Sequence, residues 1–165
     1  MELTVVEGDI TVQRVDAVVN AANRRMRGGG GVDGAIHAAG GPTVLEDCER
    51  RFPNGLETGR AGWTTAGKMP ARWVIHVVGP NYAAGERDRS LLVSCYSNAL
   101  NVAEELGATS IAFPLISAGI YAWPREDAIA AAVDTLRSAE ASVAEARLAA
   151  FGRPAYDEIV AALGR

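Results

Sequence analysis

The stretch Gly28-Gly29-Gly30-Gly31-Val32-Asp33-Gly34-Ala35-Ile36-His37 is the most informative part of this 165-residue chain. Four consecutive glycines carry no Cβ atom, so this loop can turn its N–H groups toward an anion. The pattern predicts a short helix over 34–39, whose positive N-terminal end would face the same place. Asp33 and His37, four residues apart, would share one face of that helix if it begins near Val32. The stretch therefore predicts a site for a phosphorylated ligand, with a carboxylate and an imidazole beside it.

The composition restricts the classes of function. The chain has 20 acidic and 16 basic residues, a net charge of −4, and 48% hydrophobic residues. This balance is ordinary for a globular protein and argues against a broad electrostatic grip on a nucleic-acid backbone. An anionic ligand must then be held by local backbone dipoles, because the global field does not attract it.

Cysteine and histidine usage gives no sign of a metal site. Cys48 and Cys95 form no CxxC pair and are predicted to be buried thiols in helices, and two histidines offer few zinc ligands. We also find no signal peptide and no stretch near the ~20 apolar residues of a membrane span. We expect a cytoplasmic monomer, with residues 1–165 forming a single domain that makes no membrane contact.

Short apolar runs alternate with helical patterns along the chain. The sequence predicts strands over 1–7, 15–19, 73–78, 110–116 and 144–151, and helices over 87–106, 125–139 and 154–163. Such alternation is typical of a three-layer α/β domain with a mostly parallel sheet.

Glycine and polar clusters follow three of the predicted strands. Gly8-Asp9 follows the first strand, Asn20–Asn23 and the glycine loop follow the strand at 15–19, and Ser117–Gly119 follows the strand at 110–116. Open α/β sheets bind ligands beyond the carboxyl ends of their strands. The three segments are therefore expected to converge on one site.

Each polar candidate has a structural and a functional interpretation. Asp9 could cap a turn or accept a hydrogen bond from an exocyclic amine. Asn20 and Asn23 could satisfy loop backbone groups or bind ribose hydroxyls. Asp33 could be a helix N-cap or a carboxylate beside a phosphate and a sugar, and His37 a buried imidazole or a base.

The second loop and its surroundings carry similar alternatives. Residues 117–121 would make a second phosphate-gripping turn, in which Tyr121 either flanks a sugar or packs. Phe151 could stack on a base or pack in the core. The arginines of Arg24-Arg25-Met26-Arg27 either rim an anionic ligand or are solvated, and His76 is expected in the core.

Taken in order, these motifs resemble a macrodomain of the subfamily of ADP-ribosyl hydrolases and O-acetyl-ADP-ribose deacetylases. The matching blocks are Gly8–Thr11, Val18–Asn23, Gly28–His37, Thr58–Ala61, Val74–Pro80 and Phe113–Tyr121. The resemblance spans nearly the whole chain and implies an α/β/α macrodomain with a mixed, mostly parallel sheet.

The resemblance also implies roles for individual residues. It implies that Asp9 reads the adenine amine with Ile10 beside it, and that Phe151 stacks on the adenine. The remaining ligand-binding positions are Asn20, Gly29, Gly30, Gly31, Val32, Ser117, Ala118, Gly119, Ile120 and Tyr121, most of them around the pyrophosphate. Asn23 and Asp33 match the catalytic positions, near a water activated by the carboxylate or by the substrate's own phosphate. His37 is the third catalytic candidate, from its place four residues after Asp33. No metal or cofactor is implied.

The expected activity is release of ADP-ribose from ester-type conjugates. The partners are ADP-ribose and ADP-ribosylated substrates, namely protein carboxylates, O-acetyl-ADP-ribose or nucleobases on nucleic acid. The alternative is a non-catalytic ADP-ribose-binding module, which would need neither Asp33 nor Asn23. A dinucleotide-dependent oxidoreductase is disfavoured, because Gly8 stands alone after the first strand. The chain departs from many relatives at Ala118, where they have Thr, and at Ala122, where they have Gly.

Overall fold

Six strands form one sheet in the computed structural model, which describes residues 1–164. They are Glu2–Glu7 (β1), Ala17–Ala22 (β2), Ala61–Thr65 (β3), Trp73–Val78 (β4), Ser110–Phe113 (β5) and Glu145–Ala150 (β6). Their spatial order is β1-β6-β5-β2-β4-β3, with β3 antiparallel to β4 and the other neighbours parallel. The predicted mixed, mostly parallel sheet is confirmed.

Helices cover both faces of this sheet and complete the three layers. They are Gly31–Gly40 (α1), Pro42–Arg51 (α2), Arg89–Leu106 (α3), Arg125–Ser138 (α4) and Arg153–Leu163 (α5), with 3₁₀ turns at Ile10–Val12 and Tyr82–Ala84. α1 and α2 lie on one face, whereas α3, α4 and α5 lie on the other. Within residues 1–164, no helix has both the length and the apolar character needed to cross a membrane.

β2 shows why the sequences of the central strands are continuous apolar runs without a polar alternation. Successive side chains of a strand point to opposite faces, and helices cover both faces here. Val19 joins the larger core with Leu92 of α3, whereas Val18 packs in the smaller core with Ile36 of α1. The side chains of all four residues are buried.

Three elements differ from the sequence-based predictions by three residues at one boundary. β2 begins at Ala17 and continues through Ala22, because it pairs with β4 over six residues. β5 ends at Phe113, since Pro114 has no N–H to donate to a sheet. α1 begins at Gly31 and not at Gly34. The observed bounds of β2 and α1 determine how the candidate site is built.

The bounds of two elements, α2 and β3, were not predicted, although Cys48 was expected to lie in a helix. α2 begins at Pro42, directly after Gly41 in the left-handed region at φ 81°. It contains Cys48, and α3 contains Cys95, so both thiols lie in helices and are buried as predicted. Burial raises the pKa of Cys48 to about 11 and that of Cys95 to about 12, so both remain protonated at neutral pH.

Candidate functional site

The glycine loop and the loop after β5 face each other at the carboxyl edge of the sheet. A Cβ atom on Gly30 would lie 3.2 Å from Ile120 Cδ1, and one on Gly31 would lie 3.6 Å from the same atom. The Ile120 side chain is 71% exposed despite this proximity. The two loops therefore lie side by side at this edge, as the sequence predicts, and the surface that they border is called the cleft below.

The glycine loop delivers the N-terminus of α1 to this cleft. Gly28 and Gly31 have φ values of 91° and 60°, in the left-handed region that glycine adopts without strain. Gly30 is the N-cap residue and has no side chain with which to cap the helix. The first N–H groups of a helix have no intrahelical partner and carry partial positive charge. The loop thus presents free donors to an anion.

Asp33 lies at the third position of α1 and is 4% exposed. The interpretation of Asp33 as the N-cap is wrong, since Gly30 holds that position. Its Oδ1 accepts a 2.7 Å hydrogen bond from Asn20 Nδ2 and lies 3.4 Å from His37 Nε2. A Cβ atom on Gly29 would lie 3.1 Å from Asp33 Oδ2 and 3.3 Å from the Asn23 amide nitrogen. Asp33 Oδ1 is therefore held by the buried Asn20 amide, and Asp33 Oδ2 borders the glycine loop.

Asn23 and His37 flank this carboxylate. Asn23 Nδ2 donates to the Gly28 carbonyl at 3.1 Å, and its Oδ1 accepts from the Arg25 N–H at 3.1 Å. The His37 side chain is 16% exposed. A Cβ atom on Gly28 would lie 3.8 Å from its ring. The three predicted catalytic residues are thus brought together beside the glycine loop.

The structure corrects the expectation that Asn20 touches the ligand. Because β2 extends to Ala22, Asn20 lies inside the strand and its side chain is fully buried. Its amide nitrogen is within hydrogen-bond distance of Asp33 and of His76. Asn20 therefore holds the Asp33 carboxylate from within the sheet.

A second group of candidates lies at the other end of the cleft. Asp9 is exposed, and its Oδ1 caps the first 3₁₀ turn by accepting from Thr11 N at 2.8 Å. Ile10 beside it is 7% exposed, whereas Phe151 after β6 is 93% exposed, which rules out core packing for that ring. Gly8 N donates to the Ala150 carbonyl at 3.0 Å. That bond places the Asp9 and Phe151 segments side by side.

The second loop is held in a strained conformation. Ser117 and Ala122 have φ values of 65° and 61°, a region that costs free energy for residues other than glycine. Trp123 N donates to the Ser117 carbonyl at 2.8 Å, and Ala122 N donates to the Gly119 carbonyl at 3.0 Å. Between them Ala118 is half-buried. Ser117 Oγ is buried and has no hydrogen-bond partner within residues 1–164.

Tyr121 lies near Arg24, Glu86 and Asp33. Burial raises the pKa of the Tyr121 hydroxyl, and the carboxylate of Glu86 adds to the increase. Glu86 forms a 2.8 Å ion pair with Arg24. Arg27 donates to the Met26 and Phe52 carbonyls, both at 3.0 Å, so its guanidinium is committed to the fold. Arg25 is exposed.

Comparisons with known proteins agree with this geometry. The Macro domain family model matches residues 19–132. A Macro domain-containing protein of Streptomyces coelicolor, SCO6450, is 52% identical over 98% of both chains. The O-acetyl-ADP-ribose deacetylase of Citrobacter rodentium is 51% identical over 80% of this chain and 76% of its own. A solved Oceanobacillus iheyensis macrodomain with ADP has a TM-score of 0.91 and 37% identity, covering 97% of this chain and 88% of its own.

The chain belongs to the macrodomain family. The resemblance found in the sequence is thereby confirmed. In this macrodomain Ala122 has a φ of 61°, in the left-handed region that glycine adopts without strain.

Sequence reasoning missed one part of this macrodomain's site, the layer beneath Asp33. His76 was expected in the core and is fully buried, yet its ring is hydrogen-bonded to Asn20 and to Thr64. The available signal was the register of β2 and β4, which pairs Asn20 with His76. Within residues 1–164, no group of three or more His, Cys, Asp or Glu residues is arranged to hold a metal ion.

The buried His76 predicts an acid-dependent loss of stability. Burial, with the neighbouring His37 adding to the effect, lowers the pKa of His76 to about 3, whereas an unfolded histidine titrates near 6.5. Between these values the unfolded state binds more protons, so stability falls as the pH falls. We expect the wild type to lose about 2 kcal/mol more unfolding free energy between pH 7 and pH 5 than His76→Asn does. Urea unfolding of both proteins at the two pH values measures this; equal losses would contradict it.

Proposed function

We propose that this macrodomain binds ADP-ribose and hydrolyses ester bonds that join ADP-ribose to a carboxylic acid. The observation that carries the proposal is Asp33. Its carboxylate is nearly buried, with Oδ1 held by Asn20 and Oδ2 bordering Gly29 and the Asn23 amide. A carboxylate fixed beside an anion-binding loop is suited to act on a bond close to a phosphate.

The cleft offers what a pyrophosphate needs. The N-terminus of α1 supplies unpaired N–H groups on one side, and the strained loop from Ser117 to Tyr121 lies on the other. The partnerless hydroxyl of Ser117 is a further donor next to this loop. With a net charge of −4, these local donors must supply the attraction. The bound ADP of the Oceanobacillus iheyensis macrodomain supports a nucleotide in this cleft.

The adenine end is supplied by Asp9 and Phe151. Asp9 is exposed, and the hydrogen bonds that cap the 3₁₀ turn use its Oδ1. Its other oxygen can accept a hydrogen bond from the adenine amine. The 93% exposed ring of Phe151, held in the next segment of the sheet edge, can stack on the base. With the adenine bound there, the proposal puts the distal ribose of ADP-ribose near Asp33, at the opposite end of the glycine loop.

The proposed reaction consumes one water and releases ADP-ribose and a carboxylic acid. Asp33 Oδ2 orients the water and takes its proton as the water oxygen attacks the ester carbonyl carbon. The bond between that carbon and the ribose oxygen then breaks, and the proton passes to the ribose oxygen. The Asn23 amide, which lies near Oδ2, helps to position the ribose. The name of the Citrobacter rodentium deacetylase supports chemistry on an acyl ester of ADP-ribose.

Substitution of Asp33 separates catalysis from binding. Asp33→Asn keeps an acceptor for Asn20 Nδ2 but cannot take a proton, so we expect turnover of O-acetyl-ADP-ribose to fall by about 10²-fold or more. ADP-ribose affinity should stay within about tenfold, because the backbone of the glycine loop remains. Chromatography of released ADP-ribose and calorimetry measure the two quantities.

The same assay is run on ADP-ribosylated protein carboxylates and nucleobases, which identifies the leaving group. If Asp33→Asn turns over substrate at the wild-type rate, the carboxylate has no catalytic role. Normal binding together with no cleavage of any conjugate by the wild type would make the protein a binding module.

Asp9→Ala tests the adenine end of the cleft. Loss of a hydrogen bond to a carboxylate should weaken ADP-ribose binding by about ten- to a hundredfold in calorimetry. The substitution also removes a cap, so Asp88→Ala serves as the matched control: Asp88 caps α3 through a 3.0 Å bond from Ser90 N and is no part of the proposed adenine site. If both variants bind as tightly as the wild type, Asp9 has no ligand role.

A further inference from the structure

A chain of buried polar side chains runs beneath Asp33. Asn20 of β2 and His76 of β4 stand in register on adjacent parallel strands, and both are fully buried. Asn20 Nδ2 lies 2.7 Å from Asp33 Oδ1 and 3.1 Å from His76 Nδ1. His76 Nε2 lies 2.8 Å from Thr64 Oγ1 on β3. The chain thus links three strands of the sheet to the first turn of α1.

The carboxylate determines the direction of the hydrogen bonds at one end of this chain. An ionised carboxylate only accepts, so the group of Asn20 that faces Asp33 must be its NH₂. That NH₂ has two hydrogens, and the second points to His76 Nδ1. Nδ1 must therefore accept, which places the ring proton of neutral His76 on Nε2.

Thr64 determines the direction at the other end. Its hydroxyl lies 3.0 Å from the Thr65 carbonyl, which can only accept, so the hydroxyl hydrogen is used there. Thr64 Oγ1 is then free to accept the Nε2–H of His76. Both ends specify the same tautomer, and the ring stays neutral because burial lowers its pKa to about 3.

The row of hydrogen-bonded side chains from Asp33 to Thr64 has an energetic cost that packing alone does not explain. Asn20 Oδ1 is buried and has no hydrogen-bond partner in the described part of the chain. An unpaired buried oxygen is unfavourable, and apolar side chains would fill this layer without that cost. The neighbouring Val74 of β4, on the same face as His76, does so.

We propose that His76 is a positioning residue for hydrolysis: through Asn20 it fixes Asp33 so that Oδ1 is engaged and Oδ2 is presented to the substrate. The inference rests on the proposed function, since the kinetic effect requires the hydrolase activity. Without the acceptor at Nδ1, the Asn20 amide can rotate, and Asp33 loses its fixed partner.

The test compares three variants in their turnover of O-acetyl-ADP-ribose and in their affinity for ADP-ribose. His76→Phe keeps the ring volume but has no acceptor for Asn20. His76→Asn restores an acceptor oxygen close to the position of Nδ1. Val74→Ala is the matched control, because it removes buried apolar atoms from the same strand and face as His76 but takes away no hydrogen bond, although Val74 lies opposite Thr64 across the β3–β4 pair.

We expect His76→Phe to lower kcat by about tenfold or more, with the Kd for ADP-ribose within about threefold of wild type. His76→Asn should recover much of the lost kcat. Val74→Ala should keep kcat within about twofold even though its melting temperature falls. Wild-type kcat in His76→Phe, or a loss of kcat in Val74→Ala equal to that in His76→Phe, overturns the proposal.

An NMR measurement keeps the proposal testable if His76→Phe fails to fold or if the wild type cleaves nothing. Long-range ¹H–¹⁵N spectra of the wild type should show His76 with a protonated Nε2 and an unprotonated Nδ1. In Asp33→Ala the side-chain amide signals of Asn20 should shift. A proton on Nδ1, or Asn20 signals unchanged in Asp33→Ala, overturns the chain itself. Absence of cleavage with the expected spectra rejects the proposed hydrolysis and the positioning role with it, while leaving the hydrogen-bond chain established.

Discussion

The 2.7 Å hydrogen bond from Asn20 to Asp33 joins the sheet to the helix that begins at the glycine loop. Its donor is fixed in the middle of β2, which pairs with β4 over six residues, so the bond has a rigid base. Its acceptor lies in the first turn of α1, where the free N–H groups of the helix also lie. One contact therefore sets the position of the carboxylate relative to the anion-binding backbone.

The glycine loop can approach this arrangement closely because it has no side chains. A Cβ atom on Gly34 would lie 2.7 Å from the Gly29 carbonyl oxygen, so the loop folds directly onto the first turn of α1. Two left-handed glycines make that path possible without strain. On the opposite side of the cleft, Ser117 and Ala122 adopt left-handed conformations at a cost. Strain in a binding loop is typical of functional sites, and here it shapes the wall that faces the α1 N-terminus.

The sequence predicted the parts of this structure that depend on local patterns. The bounds of β4 agree with the predicted strand over 73–78, and the glycine run and Asp33 were placed at one edge of the sheet. The bounds of α2 were not predicted, because charged residues occupy much of it and obscure the apolar pattern. The burial of Asn20 could not be predicted from local pattern, since it depends on the pairing of β2 with β4. For the same reason His76 could be assigned to the core, but its bond to Asn20 could not.

The central claim is that Asp33 is held with one oxygen bonded to the sheet and the other facing the distal ribose. A crystal structure of the protein with ADP-ribose tests it most directly. We expect the pyrophosphate between the α1 N-terminus and the Ser117–Tyr121 loop, with Asp33 Oδ1 still bonded to Asn20. Asp33 Oδ2 should lie within about 3.5 Å of a distal ribose oxygen or of a water bound to it. A distal ribose lying away from Asp33, or an Asn20 amide turned from the carboxylate, would contradict the account.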